Sequence, residues 1–374
     1  PEAASKDNNI HLWDVSGPRE PALLSDDFVR DLDFSPDGRR IATVSSDGLH
    51  IWNSGTGKVL ISSNFDEEFA ESVRFSPNGE LLANVKALAP RAYVWNASTG
   101  ALVSNIRVID TSGSSKDSDN PLMQVRLGFS PDSTYLFSHV ETLGDERSET
   151  RSASVSTGEI VATLDRDWYP DEKFSCFDED SLFVFKMSDS KSGSDLYSWK
   201  FLEGSKNKLL SYGSKMRSFT CSEGAKVIAT VLADETVRIW SRQSNSRIFR
   251  YRSSVRLATL DQTGSFLATA SSENEIHVWS LVDGEKTGLM SGHKEEIEEL
   301  IFGPGGKLLL SVSNDRVRLW EQRDDGYFLL NEFQQWGLEG ITAAKLDRSG
   351  TKLAIIDSDS FPKVWPVIGS VEEL

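Results

Sequence analysis

Tryptophan closes a short β-patterned segment again and again along this chain, at Trp13, Trp52, Trp95, Trp199, Trp240, Trp279, Trp320 and Trp365. Apart from one long gap between Trp95 and Trp199, these residues stand about 40 positions apart. The clearest unit runs from Val29 to Trp52. It reads as a first strand from Val29 to Phe34, a turn at Ser35-Pro36-Asp37-Gly38, a second strand from Ile41 to Ser45, a tight turn, and a third strand ending on Trp52. In the first turn Pro presets φ and Gly accepts a positive φ. A weaker fourth strand follows at Val59 to Ser62. Turns of the same kind begin at Ser76, Ser130, Asp178, Cys221, Asp261, Gly303 and Asp347, and Ser152 to Val155 fills the long gap with a third strand that lacks its Trp.

A small antiparallel sheet of this kind has two apolar faces and cannot bury both alone. Stacking such sheets face to face in a ring buries them all, and closing the ring leaves no end sheet bare. The expectation is therefore an all-β propeller of eight four-stranded blades. Seven is the alternative, if one of the degenerate stretches Val125 to Leu164 or Phe174 to Leu210 is not a true blade. Residues 1–15 read as the remnant of a preceding repeat, which suggests a piece of a longer repeat-bearing protein, and residues 16–374 as a single propeller domain. The last unit has little chain left for its own outer strand, so the N-terminal segment Ala22 to Ser25 is expected to supply it and close the ring.

Trp13-Asp14 is a literal Trp-Asp pair, and Gly292-His293 stands ahead of a first strand. These residues resemble the WD-repeat family over nearly the whole chain. The resemblance implies a buried hydrogen-bond network in which a His, a second-strand Ser or Thr, a turn Asp and the Trp take part. The matching residues are Thr230, Asp234 and Trp240 in one repeat and His293, Ser311, Asp315 and Trp320 in another, the latter with a turn one residue short. The resemblance also implies a non-enzymatic protein-interaction module, either the C-terminal sensor propeller of a NACHT- or apoptosome-type signalling NTPase or a scaffold subunit. Propellers host many functions, so two rivals stand beside this reading. One is a hydrolase or lyase with its site in the central channel; the other is a nucleic-acid-associated propeller.

The chemistry of the side chains favours the first reading. Net charge is −17, a field that repels nucleic acid and anionic membrane surfaces. No Gly-x-Ser-x-Gly elbow, phosphate-binding Gly loop or His/Cys cluster with metal-ligand spacing occurs, so no catalytic residue, metal or cofactor is expected. His11, His50 and His277 each precede a Trp by two residues, a slot that Arg238 and Arg318 share, which marks a repeat feature rather than a ligand set. Cys176 and Cys221 lie far apart in sequence, so neither a disulfide nor a zinc site is anticipated, and a reducing compartment, cytoplasm or nucleus, fits. No apolar run is long enough to cross a membrane and no secretory signal opens the chain.

The links from each fourth strand to the next first strand share one face of a propeller. In this chain they hold Phe65, Phe69, Trp168, Tyr169, Tyr212, Tyr251 and Trp336. Aromatic residues anchor interfaces. One sector of this face is acidic, with Asp165, Asp167, Asp171 and Glu172; the next is basic, with Lys215, Arg217, Arg250 and Arg252. A protein partner or acidic peptide is expected to dock across their boundary. Nothing in the pattern speaks to oligomeric state.

Overall fold

A computed structural model of the chain describes residues 11–12, 22–23, 29–45, 48–63, 70–86, 91–108, 123–142, 148–164, 168–170, 176–178, 181–187, 193–241, 244–250, 255–324, 326–333, 341–357 and 362–366. Among them, eight sheets follow one another along the chain. They form blades 1 to 8, at residues 29–63, 70–107, 123–164, 168–212, 216–250, 255–290, 297–333 and 341–366, the last completed by N-terminal residues.

Blade 1 shows how the sequence builds the unit. Its strands Val29–Phe34, Arg40–Ser45, Gly48–Asn53 and Val59–Ser63 pair antiparallel in order, with Leu32 opposite Thr43 and Ile41 opposite Trp52. In the first turn the Ser35 hydroxyl accepts from the Arg40 amide at 2.9 Å and donates to the Asp37 carboxylate at 2.6 Å, so the side chains satisfy the backbone that the reversal leaves over. Gly38 has φ of +65°, and a Cβ there would stand 2.7 Å from Oδ2 of Asp347 in blade 8. A bulge before Trp52 shifts the register of the outer strand, and the same irregularity recurs in other blades, deepening the blade twist.

Eight apolar clusters fill the spaces between neighbouring blades. Seven join consecutive repeats; for example, Ala268 and Val278 of blade 6 pack with Leu309 and Trp320 of blade 7. The eighth sets Val29, Leu32, Phe34, Ile41 and Trp52 of blade 1 against Ala354 and Ile356 of blade 8, which closes the ring. Polar contacts clasp the same seam. The Lys345 amine lies 3.2 Å from Asp33, and the Lys352 amine donates to the Gly38 carbonyl at 3.0 Å and to the Ser54 hydroxyl at 2.8 Å. The degenerate region between Val125 and Leu210 makes two genuine blades, so the count is eight and not seven.

Three details depart from the expectations. The N-terminal chain does extend the closing sheet, but not by Ala22 to Ser25 lying on the last third strand. His11–Leu12, read above as part of a preceding repeat, runs parallel to Pro362–Pro366 with His11 opposite Lys363, and Ala22–Leu23 pairs outside it. The open edge of the last strand takes the nearest strand-forming segment, in the parallel sense.

Blade 4 departs in its inner strand, which is split. Trp168–Pro170 pairs with residues 184–186 and Phe177–Asp178 with residues 181–182. Trp168 and Tyr169 therefore sit in a strand and not in the link before it.

Cys176 and Cys221 form a disulfide, contrary to the expectation of two isolated thiols. Their sequence separation of 45 is about one repeat, and residues one repeat apart at the inner end of consecutive blades are neighbours in a ring. Cys176 precedes the second piece of the split strand, and Cys221 ends the inner strand Met216–Cys221 of blade 5.

Inter-blade burial is expected to dominate stability. Ile41 in the closing cluster is 0% exposed, while Leu60 on the outer strand of the same blade is 51% exposed. Ile41→Ala should cost about 2–5 kcal/mol and Leu60→Ala under about 0.5 kcal/mol, read as shifts in denaturant midpoint. Equal shifts would contradict the placement of the seam.

Candidate protein-docking face

The interior network is the part of the site that chain order positions most tightly. In blade 7 it is complete. The Trp320 indole N–H donates to the Ser311 hydroxyl at 2.9 Å, Ser311 lies 2.7 Å from Nε2 of His293, and Nδ1 of His293 lies 3.2 Å from Asp315. With the imidazole neutral and its proton on Nδ1 toward the carboxylate, Ser311 donates to Nε2 while it accepts from Trp320, and every bond runs one way, from indole to carboxylate. Burial holds the His293 imidazole below its ordinary value, outweighing the pull of Asp315 in the other direction. Burial would raise the Asp315 carboxyl, but hydrogen bonds from His293 and the Lys294 amide bring it below the usual carboxylate range.

Shorter versions recur where the His is missing. Trp52 donates to Thr43 at 2.8 Å and Trp95 to Asn84 at 2.6 Å. The set expected in blade 5 is arranged otherwise. The Thr230 hydroxyl donates to the Arg238 carbonyl at 3.2 Å, and Asp234 accepts from the amide and hydroxyl of Thr236 at 3.1 and 2.6 Å. Without a His to receive it, Asp234 caps its own turn, and Trp240 packs half-buried against the cluster between blades 4 and 5.

The expected docking residues fare unevenly. Phe65, Phe69, Tyr251, Arg252 and Trp336 lie outside the described residues, as do the side chains of Tyr169 and Arg250. Tyr212 is not an exposed anchor. It ends the outer strand Ser205–Tyr212 opposite Ser194, is buried between blades 4 and 5, and has the Arg238 guanidinium 5.5 Å from its ring centroid; burial pushes its phenol up. Lys215 and Arg217 are exposed, with the Arg217 guanidinium leaning on the Val255 carbonyl of blade 6 at 3.4 Å.

Trp168 is half-buried, and its surroundings form a site that no single residue announces. Its ring meets Tyr197 edge-on at 4.9 Å, and the ammonium groups of Lys186 and Lys206 stand 5.6 and 5.5 Å from its centroid. Each strand of blade 4 supplies one member: Trp168 the inner, Lys186 the second, Tyr197 the third, Lys206 the outer. Lys208, opposite Tyr197, is exposed and bonded to Asp195 at 2.8 Å. The result is an aromatic stripe flanked by lysines across the side of blade 4 that faces blade 3. Sequence reading missed Lys186, Tyr197 and Lys206 because each looks like an ordinary strand residue. Period-two alternation from Leu182 and Val184, and from Trp199, does put Lys186 and Tyr197 on one face.

A cavity of about 490 Å³ opens at the end of the channel formed by the first turns, lined in part by Pro36, Pro77, Gln262, Asp33, Lys345 and Arg348. Its charged groups hold the ring together. Lys345 binds Asp33, Asp33 also accepts from the Phe75 amide at 2.8 Å, and Arg348 reaches Glu223 of blade 5 at 3.3 Å.

Known proteins share this fold. The profile of the WD domain, G-beta repeat family matches residues 24–53 and 284–321. The C-terminal WD40 domain of Sif2 superposes with a TM-score of 0.69 at 13% identity, over 96% of this chain and 99% of that one. A computationally designed protein, Ika8, gives 0.64 at 14% identity, over 96% and 100%. No curated protein sequence matches the chain. The chain folds as a β-propeller, and two of its segments match the WD repeat. Such propellers serve in general as scaffolds for protein partners and are typically non-enzymatic. No helix among the described residues is long and apolar enough to cross a membrane.

The blade 7 network generates two expectations. Ser311→Ala strands two buried groups, Trp320 Nε1 and His293 Nε2, and should cost about 1–3 kcal/mol. The folded His293 value lies below its unfolded value of 6.5, so its contribution is full above that pH and is lost as pH falls toward the folded value, because the unfolded chain then takes up a proton that the folded chain refuses. Thermal melting between pH 7 and 5 should decline less steeply in His293→Gln than in the parent protein; parallel curves would contradict the assignment.

Proposed function

We propose that this propeller is a non-catalytic docking module that holds an acidic, extended segment of a partner protein along the lysine-flanked aromatic stripe of blade 4, within a larger cytoplasmic signalling protein or complex. One observation carries the reading. In a chain of net charge −17, Lys186 and Lys206 converge on a single half-buried indole, with Lys208 beside them. Trp168 and Tyr197 pack in part against the blade 3–4 cluster, and their half-buried rings offer the remaining apolar area to a backbone or an aliphatic stem, while the ammonium groups offer charge to carboxylates. The net charge of −17 opposes an acidic ligand at long range, so recognition depends on short-range ion pairing with the stripe lysines, which salt weakens.

The test is fluorescence anisotropy with a labelled twelve-residue peptide rich in Glu and Asp. The parent chain should bind it with an affinity that falls as salt rises. Lys186→Glu combined with Lys206→Glu should weaken binding by at least about tenfold, equivalent to about 1.4 kcal/mol, with an unchanged melting temperature. Failure of the parent chain to bind, or equal binding by the double variant, overturns the proposal.

A further inference from the structure

We infer that Cys176 and Cys221 form a reversible thiol–disulfide site whose oxidised state braces the split inner strand of blade 4 against blade 5. Among the described residues, the inner strand of blade 4 has a short and interrupted ladder. The other seven blades have inner strands of six or seven continuous residues, but blade 4 has three at Trp168–Pro170 and two at Phe177–Asp178. The second piece is held by pairing to residues 181–182, by the Phe183 amide donating to the Cys176 carbonyl at 2.9 Å, and by the Phe177 side chain in the cluster between blades 3 and 4. It meets blade 5 at the turn Glu223–Ala225 and through Cys176, which packs with Phe219 and Ala225 and is bonded to Cys221. The cross-link encloses the second, third and outer strands of blade 4 and the whole inner strand of blade 5. Breaking it returns conformational freedom to all of that chain in the unfolded state and to the short ladder in the folded one.

The two cysteines differ in burial. Cys176 is fully buried, while Cys221 is half-buried at the end of its strand, next to the turn Ser222 to Ala225. An external dithiol therefore attacks at Cys221. Its thiolate sulfur forms a bond to Cys221 Sγ as the Sγ–Sγ bond breaks, and the electron pair leaves on Cys176, which then takes a proton. The second thiol of the reagent displaces Cys221, leaving two protein thiols and one oxidised reagent. Exposed disulfides are the labile kind, resistant ones the buried kind.

The experiment uses the whole chain and needs no partner, so it is independent of the acidic-peptide reading. Alkylation in denaturant without reductant should leave both cysteines unmodified in the air-oxidised protein, and native dithiothreitol should open the bond. On reduction, amide hydrogen exchange in residues 176–187 should accelerate by about tenfold or more while the strands of blade 7 stay unchanged, and the melting temperature should fall by roughly 5 °C. Cys176→Ala with Cys221→Ala should match the reduced protein and be indifferent to reductant. Two free thiols in the oxidised protein, a bond that resists native dithiothreitol, or equal exchange in the two redox states would each overturn the inference.

Discussion

Everything in this molecule depends on the mutual burial of blade faces. Each sheet is apolar on both sides, and each side finds its partner only in a neighbour: Val73 and Leu82 of blade 2 against Val44 and Ile51 of blade 1, Phe183 and Leu196 of blade 4 against Phe219 and Ile228 of blade 5. None of these sheets is a stable object by itself. The ring is the smallest arrangement that leaves no apolar face bare, and the polar features, from turn caps to indole hydrogen bonds, refine a structure that burial has already imposed. The indole of the Trp-terminated strand serves both ends. Its rings fill the inter-blade space, and its N–H reaches the second strand of its own blade, so that Trp320 and Ser311 fix blade 7 in register while Trp320 also packs with residues of blade 6.

Much of this was legible in the sequence because it repeats. The Trp spacing and the recurring first turns are local signals, and strands and turns follow from them, while the choice of eight blades over seven rests on the sheets formed between Val125 and Leu210. The His293, Ser311, Asp315 and Trp320 set was legible for the same reason, despite its short turn. What escaped is non-local. Trp168 looked like a link residue because the inner strand of blade 4 is broken by an insertion, and nothing near Trp168 in sequence shows that residues 184–186 will claim it. Tyr212 looked exposed because links are usually polar and open, yet the blade 4–5 cluster closes over it. Linear distance hides the Cys176–Cys221 bond, because the separation of 45 is about one repeat and consecutive repeats are neighbours in the ring.

The same contrast explains where function is sought. Blade 7, with an intact network, offers a stiff and self-satisfied interior. Blade 4 has a split inner strand, the covalent tie and the stripe of Trp168, Tyr197, Lys186 and Lys206. A repeat that no longer spends all of its side chains on stacking has some available for contact with other molecules, and its weakened backbone needs support from elsewhere.

The seam between blades 1 and 8 also has a consequence in time. Seven inter-blade clusters join residues within neighbouring repeats, so they can assemble as the chain leaves the ribosome. The eighth joins Val29 through Trp52 to Ala354 and Ile356. Loop closure over the whole ring costs about 2 kcal/mol more than closure over one repeat, since each doubling of length adds about 0.6 kcal/mol. At roughly 5–20 residues per second, blade 1 waits on the order of a quarter-minute to a minute for its partner to be synthesised. Through that interval Leu32, Ile41 and Trp52 belong to an open surface, and the nascent chain depends on shielding that the finished ring no longer requires.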